Sequence, residues 1–450
     1  MLNRPFVTTL LVCLIAALSA PFLRAQDSVP VQVDPERWNL YYQATSVGEH
    51  HDAFQAPYSG PLSLSNHPEN EVSLTTTLFF SYRITRNTQF YFDPEIAGGR
   101  GFSGVDGMAN ASNGELPRVA AATPTPYIAR LYISHDFGFG SEKEDIESDE
   151  NQLSGSRPMT RYTIAAGRFS LTDFFDNNSD THDPRTQFLG WAVMYNGAWD
   201  YPADTRGYTW GWVHEFHTRN WSLRYASAAM SKVANGERFD RRLFRDRGDV
   251  FEGERSYKAL SHPGILRLLG YMNHYDGGSY GAALQLAAAT NTTPDVTKTL
   301  RIGTLKYGFG INLEQEIAKG LGAFMRLGWN DGKTQSFEFT AIDRLATGGV
   351  SLSGARWKRP DDTVATELTV AGLSAVHALY LSRGGLDFLI GDGQLNYAPE
   401  YVWESYYRAR LFKGFFASLD AQHVENPAYN HDRGPLWAFF LRLHIEAGKK

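Results

Sequence analysis

A chain of 450 residues with 43 Lys and Arg, 49 Asp and Glu and a net charge of −6 has no basic surplus with which to hold nucleic acid. Its one cysteine, Cys13, lies in the N-terminal leader, so the rest of the chain can form neither a disulfide nor a thiolate metal site. Aromatic residues make up 14% of the chain, 42 residues are Gly and the mean hydropathy is −0.35; a β-barrel with an apolar outside and a polar lumen gives such values, because its two faces cancel in the average.

In chain order, residues 1–25 read as an export signal. Arg4 supplies the charged start, Phe6 to Leu18 the apolar run, too short to span a bilayer as a finished helix, and Ala25 the small residue before a cut that leaves Gln26 first. Loss of Arg4 and Arg24 leaves 41 basic against 49 acidic side chains, a net charge of −8 with His neutral. From Trp38 onward there is no linker, heptad or tandem repeat, so residues 26–450 are expected to form one barrel domain.

Strand periodicity begins at Val72. Val72, Leu74, Thr76, Leu78, Phe80 and Tyr82 share one face, and Ser73, Thr75, Thr77, Phe79, Ser81 and Arg83 the other, an alternation long enough to cross a membrane at a tilt. Gly98–Pro126, Gly140–Pro158 and Asn235–Lys258 are expected to be long loops. Leu305 to Leu313 alternates apolar with polar, Ala318-Lys319-Gly320 turns the chain, and Leu321 to Trp329 alternates again before Asn330-Asp331-Gly332. The pattern recurs around Phe412-Lys413-Gly414, and Trp437, Phe439, Leu441, Leu443 and Ile445 form a last apolar row. The expected fold is all-β: a transmembrane antiparallel barrel with short periplasmic turns and long extracellular loops.

Enzyme chemistry finds little support. His214-Glu215-Phe216-His217 lacks the helical i, i+4 histidine spacing of a metal site. Glu400 and Glu404 resemble a glycosidase carboxylate pair, but a lumen wall needs such residues too. No catalytic residue, metal or cofactor is expected. Arg83, Arg130, Arg168, Arg224, Arg326, Arg408 and Arg442 lie in strand-like runs and should face a wet lumen, because arginine is untenable against lipid. The lumen candidates for binding a solute are Glu95, Arg130, Arg168, Asp173, Asp176, Arg185, Trp191, Arg326, Glu400 and Glu404, charged groups for hydroxyls and an aromatic face for a sugar ring. The stretch from Arg168 to Arg185 is expected to fold inward and narrow the pore.

Several long motifs carry a resemblance. Gly167-Arg168-Phe169-Ser170-Leu171-Thr172-Asp173-Phe174-Phe175-Asp176-Asn177-Asn178 continues to Asp183-Pro184-Arg185-Thr186-Gln187-Phe188. Asn196-Gly197-Ala198-Trp199-Asp200-Tyr201-Pro202, Gly391-Asp392-Gly393-Gln394-Leu395-Asn396-Tyr397-Ala398-Pro399-Glu400 and Asn426-Pro427-Ala428-Tyr429-Asn430-His431-Asp432-Arg433-Gly434-Pro435 follow. Together they resemble the carbohydrate-selective porins of the OprB type, from about Trp38 to Glu446. The resemblance implies about 16 strands (18 is the alternative), passive uptake of a small neutral, glucose-like carbohydrate, and a place among the lipids of the outer membrane of a Gram-negative-type bacterium. Ala371, where the family carries Asn, and the absence of an aromatic residue at or near Ala447 are departures. A homotrimer and a monomer both stay open, as do a non-selective porin and a soluble β-fold sugar-binding protein or glycosidase.

Overall fold

The computed structural model describes residues 35–116, 123–242, 244–259 and 261–448; the expected export signal lies outside them. Among these residues sixteen antiparallel strands follow one another around a closed barrel, and β1 (Trp38–His51) closes it against β16 (Leu436–Gly448). Closure removes the unpaired edges that a bilayer would not tolerate. No described helix is long and apolar enough to cross a membrane.

The alternation sets each wall. In β2 (Glu69–Thr85), Val72, Leu74 and Leu78 are exposed and Ser73, Thr75 and Thr77 buried; in β16, Trp437, Phe439, Leu441, Leu443 and Ile445 are exposed and Ala438, Phe440, Arg442 and His444 buried. A soluble protein buries its large apolar side chains. Here they line the outside, the arrangement of a wall in lipid.

One end carries short connections. Residues 86–87 join β2 to β3 (Thr88–Gly99), 319–320 join β10 (Arg301–Ala318) to β11 (Leu321–Asn330), and 413–414 join β14 (Glu400–Phe412) to β15 (Phe415–Glu425). Gly320 and Gly414 take φ of +74° and +72°, which suits Gly in two-residue turns. The other end carries longer connections, among them residues 52–68, 170–208, 278–300, 331–343, 373–399 and 426–435.

Two expected loops are strand over much of their length. β4 (Thr125–Ile146) and β5 (Gly155–Phe169) run through the acidic stretch 140–158, past a bulge between Phe139 and Lys143, leaving only 147–154 between them. β8 (Arg247–Ala259) occupies half of 235–258. Its carboxylates are an inward row rather than loop charge: Glu252 and Glu254 accept from Arg224.

The apolar core sits inside the barrel. Phe175, Phe188, Trp199, Tyr280, Tyr380 and Tyr429 are fully buried, and all belong to connections at the long-loop end. These connections fold inward and pack on one another, filling part of the barrel's interior.

Candidate functional site

Residues 170–208 leave β5 at Phe169 and cross the interior, held by groups on the inward rows. Glu404 accepts from the amides of Leu189 (2.6 Å) and Gly190 (3.0 Å). Glu252 accepts from Asp176 N, and Glu314 from Ser179 N. Arg326, wholly buried, donates to the carbonyls of Val193 (2.6 Å), Asp176 (3.0 Å) and Thr181 (2.9 Å) and pairs with the Asp176 carboxylate. Arg442 donates to the carbonyls of Pro184 and Gln187. Backbone groups out of reach of water need such partners, so the wall charges fix the path of the chain across the lumen.

Beside this crossing runs a cavity of about 630 Å³, lined by β1–β6 on one side and by the crossing on the other; β6 is Thr209–His217. One wall is charged. Arg185 spreads its planar fork over four partners: Nε to Glu115 (3.0 Å and 3.1 Å), Nη2 to Glu95 (2.8 Å), and Nη1 to Gln43 (3.0 Å) and Thr77 (3.1 Å). Glu95 also accepts from Tyr127 and Tyr208. Arg130 makes a two-point pair with Asp173 (2.8 Å and 2.6 Å) and reaches Asp93 at 3.4 Å. Such forked pairs hold a guanidinium in one orientation. Burial raises the Glu115 carboxyl to about 8, although Arg185 beside it pulls the other way. Burial, together with the Arg326 charge, lowers His182.

Other lining residues are aromatic. Trp191 stacks on Phe339 with centroids 5.5 Å apart and planes 3° from parallel, and Tyr201 leans on Phe339 at 4.8 Å. The indole N–H of Trp191 is fixed to the Asn113 carbonyl at 2.9 Å. Phe174, Tyr132 and Tyr195 continue the surface. A cavity that combines flat apolar faces with charged donors and acceptors can take a solute with hydroxyls on its rim and C–H groups on its faces.

Of the sequence candidates, Glu95, Arg130, Asp173, Arg185 and Trp191 line this one cavity. The others do not. Arg168 lies behind the wall, donating to Ile128 O (2.7 Å) and Asp204 (2.6 Å), with its guanidinium 5.7 Å from the Tyr208 ring centre. Asp176, Arg326 and Glu404 are absorbed in seating the crossing. Glu400 accepts from the amides of Ala109, Asn110 and Ala428, so the spacing that suggested a carboxylate pair serves, with Glu404, to anchor three connections instead. Sequence reading passed over Gln43, Glu115, Tyr127, Tyr208 and Phe339. Gln43 and Tyr127 carry an inward-row signal; Glu115 and Phe339 sit in connections without periodicity, where no local signal exists. Of the His214 motif, Glu215 binds Arg224 at 2.7 Å, His214 meets the Tyr162 hydroxyl at 2.7 Å and His217 meets Ser222 at 2.8 Å.

Residues 77–446 match the family model of the carbohydrate-selective porins, OprB family. Among solved structures, OprB of Pseudomonas putida is similar at a TM-score of 0.68 and 14% identity, covering 92% of this chain and 94% of that one. OccAB1 of Acinetobacter baumannii (TM-score 0.47, 9% identity, 92% and 97% covered) and OccK2 (OpdF) of Pseudomonas aeruginosa (0.46, 8%, 91% and 98%) are more distant. No curated protein sequence matches.

Proposed function

This chain belongs to the OprB family of carbohydrate-selective porins, and on that premise we propose that it passes a small neutral, glucose-like sugar across a bacterial outer membrane, between the Arg185 wall and the Trp191–Phe339 wall. The observation that carries this reading is that the Arg185 ion-pair cluster and the Trp191–Phe339 stack line one cavity. A neutral sugar offers no charge to attract, so discrimination rests on hydrogen bonds to its hydroxyls and on ring contact at the narrow place. Contact there is weak enough for the sugar to leave, because conduction needs release as much as binding. The long loops face outward from the cell and the short turns face the periplasm, following the usual barrel orientation. The reading is of a passive channel, and the wall carboxylates serve as acceptors rather than as general acids.

Single-channel recording in a planar bilayer tests it. Glucose is expected to reduce the ion current in a saturable way, with a larger saccharide such as a trisaccharide excluded. A current indifferent to glucose would return the channel to the non-selective class.

A further inference from the structure

The connection 147–154 does not hang free below the barrel. β4 is the longest strand at 22 residues, and the end of the β4–β5 hairpin bends back across the short-turn mouth. Asn39 on β1 donates to Ser148 Oγ, Asp149 O and Gln152 O, and Tyr41 donates to Ser148 Oγ at 3.0 Å. Arg83 on β2 donates to Ser154 O at 2.9 Å. The tip thus spans to strands three places away around the wall, and Glu150 and Asn151 reach the same cavity that Arg185 lines.

Their side chains end one residue short of the constriction arginines. Gln43 donates through Nε2 to Glu150, and its Oε1 accepts from Arg185 at 3.0 Å. Asn151 donates to Asp93 Oδ2 at 2.7 Å, and the same oxygen faces Arg130 Nη1 at 3.4 Å. An amide has a fixed orientation once both its ends are engaged; Glu150 therefore decides which end of Gln43 faces Arg185. Without that acceptor Gln43 is tethered at one end only, and its amide is free to swing away from the guanidinium.

We infer that the β4–β5 turn belongs to the selectivity filter, with Glu150 and Asn151 as positioning residues that hold Arg185 and Arg130 through Gln43 and Asp93. The inference rests on the sugar reading of the constriction. The turn is short and polar, yet it is placed where a loop could leave the mouth clear, and each of its two tip side chains meets a partner already bonded to an arginine of the charged wall. The filter is then built from both ends of the barrel: residues 170–208 bring Arg185 and Asp173 in from the long-loop end, and the hairpin tip holds Arg185 and Arg130 from the short-turn end. Burial pushes the Glu150 carboxyl up to about 7, with the Gln43 bond opposing, Asp149 in the same turn and Asp183 in the crossing adding to it, and Arg185 reducing it.

The test compares parent, Glu150→Ala, Glu150→Gln and Asn151→Ala channels in planar bilayers, reading open-channel conductance and glucose block. Heat-modifiable gel mobility shows that each barrel has folded. Glu150→Ala is expected to weaken glucose block about five- to tenfold, the loss of one positioned hydrogen bond. Glu150→Gln, which keeps an acceptor for Gln43, restores it. If Glu150→Ala does not fold, Gln43→Ala breaks the same link from the wall. Unchanged block and conductance in folded Glu150→Ala, or in Gln43→Ala in its place, overturn the inference. A parent that glucose does not block defeats the sugar reading instead; the ratio of variant to parent conductance then decides, a changed ratio supporting the positioning role and an equal one overturning it.

Discussion

Two arginines of one motif divide between structure and passage. Arg168 and Arg185 lie 17 positions apart in the sequence, and both looked like lumen donors. Arg185 lines the cavity, whereas Arg168 is spent on Asp204 and a carbonyl behind Tyr208. We expect Arg185→Ala to weaken glucose block roughly tenfold or more, the worth of one charged hydrogen bond at about 1.5–3 kcal/mol. Arg168→Ala should leave block within about twofold of the parent and lower stability instead, since Asp204 is left buried without its partner. Equal effects of the two variants on block would place Arg168 in the passage after all. Sequence could not separate them, because the deciding contacts are distant: Glu115 lies 70 residues from Arg185 and Asp204 lies 36 from Arg168. Trp191 was legible as an aromatic face, but its stacking partner Phe339 was not, for the same reason.

The strands were legible and the loop interior was not. A bilayer imposes period 2 on every crossing, so Val72 to Arg83 or Leu305 to Leu313 declare their faces from composition alone. The acidic run 140–158 misled because below the membrane both faces of a hairpin are wet and the apolar row disappears, although the backbone still pairs. Inside the barrel the loops are held by single long-range bonds, which leave no period. Glu404 is one such anchor, and Glu404→Ala should strand the amides of Leu189 and Gly190 at about 1–3 kcal/mol each. Amide hydrogen exchange across 186–194 is expected to quicken with the barrel intact; protection equal to the parent's would mean that other anchors suffice. A second anchor depends on pH. His377, in the helix Ala375–Ser382, is buried between Asp343 (3.1 Å) and Asp387 (2.9 Å) and stacks on Tyr280 at 4.1 Å, tying together three connections at the long-loop end. Burial alone would lower it, but the two carboxylates raise it to about 9. A group raised above its unfolded value of about 6.5 stabilises fully below that value, and the gain is lost as pH rises through about 9. Exchange in residues 278–300 and 373–399 should therefore accelerate between about pH 8 and 10 in the parent. His377→Ala should exchange faster already at neutral pH and show no such step.

At the scale of the whole molecule, the main cavity carries more acid than base. Eight carboxylates and four arginines line the main cavity, although the charge of −6 over 450 residues gives no hint of where the excess lies. The balance is set by pH, because three of the eight, all in connections rather than strands, are harder to ionise than an ordinary carboxylate. Burial lifts Glu150 to about 7 and Glu115 to about 8, and raises Glu338 well above the usual range. Below about pH 6 these three are neutral, which leaves five carboxylates against four arginines and little preference between ions. As pH rises past 8, first Glu150 and then Glu115 lose protons, the lining becomes distinctly negative, and a narrow low-dielectric passage magnifies the difference. Reversal potentials across a potassium chloride gradient should therefore move toward cation selectivity between about pH 6 and 9. Glu115→Gln should remove the upper part of that shift and Glu150→Gln the lower part. A neutral sugar feels none of this directly, so its block should stay level over the same range, whereas an anionic sugar acid should be excluded more strongly as pH rises. A reversal potential that stayed constant over this range would mean that these carboxylates are already ionised at pH 6, or that ions pass without meeting them.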